Sequence, residues 1–108
     1  MERQSIVMKT FAVGEKHYTL EIFTTEEDQT EVIDEDHNTL LTFTANCCVF
    51  IGTPARHEQL GRLSMNDKVW YFIQDDMAVC PMLVPTPARD IYDAEVFVAV
   101  AYFVAKGN

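Results

Sequence analysis

Three histidines, three cysteines and one dense run of acids are the residues of this sequence that chemistry could use. His17, His37 and His57 are too widely spaced for a local metal motif, and neither Cys-x-x-Cys nor His-Glu-x-x-His occurs. The pattern predicts surface histidines and no metal. Cys80, beside Pro81, would act as a nucleophile only with a histidine next to it in space. Cysteine is among the most buried residue types, so a packed thiol is the expectation. Ser5 and Ser64 lie in no Gly-x-Ser-x-Gly elbow. The four glycines, Gly14, Gly52, Gly61 and Gly107, are scattered and form no phosphate loop. Arg56, His57, Glu58 and Arg62 make a small basic cluster that reads as a salt-bridged surface. With no catalytic residues to name and no cofactor motif, a non-enzymatic role is the expectation.

The acids are the distinctive feature. Glu26, Glu27, Asp28, Glu31, Asp34, Glu35 and Asp36 follow one another with no basic residue between them. Charges this dense repel unless solvated or paired. The plain reading is a solvated loop and a sheet edge on which charge blocks edge-to-edge pairing. The functional reading is a docking surface for a basic protein, with carboxylates standing where phosphates would otherwise sit. A calcium loop fits poorly: Asp34, Asp36 and Asn38 match its first ligands, but Thr39 stands where glycine is needed and Ala45 where a bidentate glutamate is needed.

The composition agrees with a docking role. Seventeen acidic and eight basic side chains give a net charge of −9, which repels nucleic acid and anionic membranes and attracts a basic partner. Two of the three cysteines are adjacent, poor geometry for a mutual disulfide, and Met1-Glu2-Arg3-Gln4-Ser5 shows no charged-then-apolar leader. Both point to a reducing cytoplasm. The longest apolar run, Val96 to Ala105, is about half the ~20 residues that a membrane-spanning helix needs.

The elements that must position these residues read as one 108-residue domain, 48% hydrophobic and able to bury a core without metal or disulfides. Tyr18, Leu20 and Ile22 alternate with His17, Thr19 and Glu21, the period of a half-buried strand. Gly14-Glu15-Lys16 joins that strand to Ser5–Val13 in a hairpin. Thr39 to Thr44 alternates again, and Cys47 to Ile51 is continuously apolar, as in a central strand. After a break at Gly52-Thr53-Pro54 and one helical turn, Leu60 to Met65 and Lys68 to Gln74 flank a turn at Asn66-Asp67. Val69, Tyr71 and Ile73 share one face, and Trp70 and Phe72 the other. Val79 to Val84 can add an edge strand, limited by Pro81 and Pro85. Thr86-Pro87, the acids Asp90, Asp93 and Glu95, and a closing Lys106-Gly107 predict a helix over about residues 88–106. Its apolar residues point nearly all round the axis, more than one sheet face can cover, so a deep core or a seam between subunits is expected.

The expectation is thus α+β: an antiparallel β-meander of about five or six strands with a hydrophobic C-terminal helix packed on it. The leading functional expectation is a small acidic interaction or inhibitor protein, of the kind used by immunity proteins, antitoxins and phage anti-defence proteins. One alternative is a small-molecule-binding domain or small enzyme with an apolar pocket lined by Trp70, Phe72, Tyr92 and Phe97. Another is a structural subunit, a homodimer joined through the C-terminal segment.

Overall fold

The computed structural model describes residues 5–23, 29–74, 82–83 and 90–106. Eight strands run in chain order: β1 (Ser5–Val13), β2 (Lys16–Phe23), β3 (Thr30–Ile33), β4 (Thr39–Phe43), β5 (Cys48–Ile51), β6 (Gln59–Asn66), β7 (Val69–Gln74) and the two-residue β8 (Met82–Leu83). A short 3₁₀ turn, Pro54–Arg56, follows β5, and the helix α1 spans Ile91–Ala105. Each strand pairs antiparallel with the next, so spatial order equals sequence order and the sheet is an up-and-down meander. Tight connections make this order the natural one. The strand count exceeds expectation chiefly because β3 lies inside the acidic stretch. It is no sheet edge: β2 and β4 flank it, and all four of its residues are buried.

Register shifts leave one extra residue in β1 (Met8, opposite β2), in β4 (Leu40, opposite β3) and in β6 (Leu60, opposite β5), bulges that sharpen the local twist. The sheet curls into an open half-barrel with α1 in its concave side. Tyr18 and Leu20 of β2, Val32 of β3, Leu41 and Phe43 of β4, Val49 of β5, Leu63 of β6 and Trp70 and Phe72 of β7 point inward. They meet Ala94, Val98, Ala99 and Phe103 of α1 in one core. That enclosure explains a helix apolar nearly all round, because a curled sheet covers more of its circumference than a flat one. The small Ala94 and Ala99 let the helix sit close to the strands.

Local chemistry sets the turns. Gly14 has φ of +63°, at the first central position of a two-residue hairpin, as in a type II′ turn. The β6–β7 turn is centred on Asp67-Lys68 rather than Asn66-Asp67: Asn66 pairs with Val69, and Asp67 and Lys68 both carry positive φ. The right-handed strand twist favours such a type I′ turn even where the second residue is not glycine. β8 pairs with β7 as the edge strand that the prolines allow. The helix is capped by Asp90, whose side chain accepts from the Asp93 N–H at 2.9 Å. Asp90 is itself extended, so the helix begins after it and not near residue 88, and Thr86-Pro87 lies outside the described residues.

Candidate functional site

Two features of the half-barrel bear on function: a charged cleft at its mouth and an acid inside its core. The mouth forms where the β1–β2 hairpin, the β3–β4 turn and the C-terminal end of α1 converge. The gap left beyond the end of the helix is a cleft of about 540 Å³. Tyr18 and Phe103, stacked with ring centroids 4.4 Å apart, contribute to its lining. Asp34, Glu35 and Asp36 stand on one side, and Lys16, Arg56 and Lys106 arrive from three other segments. Arg56 is paired with Glu58 at 3.0 Å, and the Lys106 ammonium lies 5.2 Å from the centre of the Tyr102 ring. An adjoining hollow of about 500 Å³ is bounded by Phe11, Ile33 and His37.

The acidic turn is braced from within. Asp34 Oδ1 accepts from the backbone N–H of Asp36 and of Asn38, both at 2.9 Å, and Oδ2 accepts from Asn38 Nδ2 at 3.2 Å. These bonds, the Asn38 N–H foremost, hold the Asp34 carboxyl below the usual carboxylate range. Glu35 Oε1 accepts from the His17 N–H at 3.1 Å, tying the turn to the start of β2. Asp36 is exposed.

The acidic run therefore does not act as one surface. Glu31 is 2% exposed on β3 and accepts from Thr39 Oγ1 at 2.8 Å, which takes it off any docking face. Glu26, Glu27 and Asp28 lie outside the described residues. In the Asp34, Asp36, Asn38 set, N–H donors occupy the Asp34 oxygens that a calcium ion would need. Among the described residues no group of three His, Cys, Asp or Glu side chains is placed to hold a metal ion.

Deeper in the fold, Glu95 of α1 is 4% exposed, and its Oε1 accepts from Thr30 Oγ1 of β3 at 2.7 Å. Burial pushes this carboxyl up to about 7, the Thr30 hydrogen bond pulls the other way, and the negative charge of Asp90 adds to the rise. Burial and then the nearby Glu95 also push the Cys47 thiol up, which keeps it protonated and a poor nucleophile. Cys47 and Cys48 are free thiols, and Cys80 lies outside the described residues.

Of the four residues anticipated as lining an apolar pocket between sheet and helix, Trp70 and Phe72 are core side chains, Tyr92 is half-buried at the margin of the core, and Phe97 is 38% exposed on the outer side of α1. None of the four lines the mouth cleft or the adjoining hollow. α1 occupies the concave side, and the mouth cleft opens beyond its C-terminal end. Trp70 Nε1 is buried and has no hydrogen-bond partner among the described residues. Sequence reasoning also passed over Glu95 as one of the acids that suit the N-terminal turns of the helix. A signal was present: at helical spacing Glu95 aligns with Val98, Ala99 and Tyr102, an otherwise apolar stripe.

No helix among the described residues is long and apolar enough to cross a membrane. Comparison with models of known families, with curated proteins and with solved structures finds no significant match.

Proposed function

We propose that this protein is a small non-enzymatic binding protein that docks a basic protein partner on the rim of the half-barrel mouth. The carrying observation is the Asp34–Asn38 turn, which the Asp34 carboxylate and the Glu35–His17 bond hold in shape while Asp36 faces solvent. A prearranged turn loses little freedom on binding. The net charge of −9 steers a basic partner toward the chain. The chain with Glu35→Gln and Asp36→Asn provides the test, since both changes keep oxygen acceptors and remove charge. Affinity capture from the native host, eluted with a salt gradient, should retain a basic protein on the wild type, release it at moderate salt and fail to retain it on the variant. Equal retention by both chains overturns the docking role of the turn.

The mouth cleft supports a second reading, binding of a small molecule, because its volume falls within the span of about 300–1,000 Å³ common for ligand sites and it has an aromatic wall. A third, self-association through α1, is supported by the exposed Phe97 and Val104. Native mass spectrometry separates the readings: a bound metabolite or a doubled mass each has its own signature.

A further inference from the structure

We propose that α1 is held in the half-barrel by a proton on Glu95, so that the helix loosens from the sheet as the surroundings turn alkaline. The geometry is that of a lone carboxyl in an apolar seat. Glu95 lies on the helix face that also carries Ala94, Val98 and Ala99, all buried, and its one described hydrogen-bond partner is the Thr30 hydroxyl, likewise buried. A neutral carboxyl with one hydrogen bond is tolerable there, whereas a carboxylate is costly unless a cation or several donors compensate it.

No such compensation faces it among the described residues. Cys47, at the β4–β5 turn, is a thiol that stays protonated. Asp90, at the helix N-cap, is itself acidic and opposes ionisation. The Lys9 ammonium of β1 is held by Asp93 at 2.8 Å in a partly exposed pair. Glu21 and Glu31, cross-strand partners, alternate with the inward-facing Leu20, Thr30 and Val32 and so lie on the other side of the sheet. Since burial raises the Glu95 carboxyl to about 7, its ionisation falls within a physiological range of pH rather than far below it.

Hydrogen exchange followed by mass spectrometry on the intact chain tests this. After correction for the intrinsic pH dependence of exchange, protection of residues 94–103 should fall by on the order of a hundredfold between pH 5 and pH 8.5, the shift from the ordinary 4.5 to about 7 taken as an equilibrium ratio. Glu95→Gln should abolish that dependence while the helix stays docked. Thr30→Val, which removes the donor that favours the charged form, should move the midpoint to higher pH. Protection that does not change with pH in the wild type overturns the proposal, and so does an unchanged slope in Glu95→Gln. Should the Gln variant fail to fold, an unmoved midpoint in Thr30→Val overturns it as well.

Discussion

Gly61→Ala probes a close approach in the curled sheet, where the ring of Phe72 lies against β6. A Cβ added at Gly61 would meet two ring atoms of Phe72 at 2.8 and 2.9 Å and collide with the backbone carbonyl oxygen of Ile73. Neither neighbour can retreat. Ile73 sits in the β6–β7 ladder opposite Arg62, and Phe72 is among the largest fully buried side chains. Overpacking of this kind costs about 1–3 kcal/mol. Replacing glycine by alanine returns about 0.4–1 kcal/mol by narrowing the unfolded ensemble. The net loss is about 1–2 kcal/mol, and with about 4–8 °C per kcal/mol for a chain of this size the midpoint should drop by about 5–15 °C. Thermal unfolding by circular dichroism and calorimetry measures it. Phe72→Leu in the Gly61→Ala background should couple, the double variant losing less than the sum of the two single changes. An alanine variant that melts at or above the wild type would refute the reasoning, because room would then exist where the ring and carbonyl are placed.

Glu95 also sets a pH dependence of global stability. Its folded value of about 7 exceeds the ordinary 4.5, so the folded chain holds the proton more tightly; the contribution is full below 4.5, declines as pH rises toward 7 and is flat above, by about 3 kcal/mol in all. Urea midpoints that rise from pH 5 to pH 8 would contradict this sign. Lys68→Gly should raise the melting temperature slightly, by up to about 1 kcal/mol of stability, because Lys68 holds φ of +65° in the β6–β7 turn; a drop would mean the lysine side chain has a structural role. Val98→Asp strands a charge in the core and should unfold the chain, whereas Val104→Asp, on a residue 62% exposed, should leave the fold intact. Light scattering on the wild type and Val104→Asp checks self-association: if α1 is a seam, Val104→Asp lowers the mass, and a wild type monomeric at about 0.1 mM excludes a seam of micromolar affinity.

Much of the fold is written locally. The period-two pattern of Tyr18, Leu20 and Ile22 and the inward pair Trp70 and Phe72 need only alternation and burial to be read. Gly14 needs only its freedom at positive φ. β3 escaped because its four residues are embedded among acids and one of them is Glu31 itself, so composition pointed to solvent. Its burial comes from pairing with β2 and β4 on either side and from the Thr39 hydroxyl of β4, which the residues of β3 taken alone do not announce.

Residue type and short-range spacing suffice for the secondary-structure class, the net charge, the meander and an unusually apolar closing helix. Which acids face water depends on how the strands and the helix come together. Asp34, Glu35 and Asp36 come to the mouth of the half-barrel, Glu31 goes beneath the hydroxyl of Thr39, and Glu95 goes into the core beside Thr30, sixty-five positions away. Ionisation depends on solvent and on partners, and the curl of the sheet that removes one and supplies the other is made by contacts between distant parts of the chain.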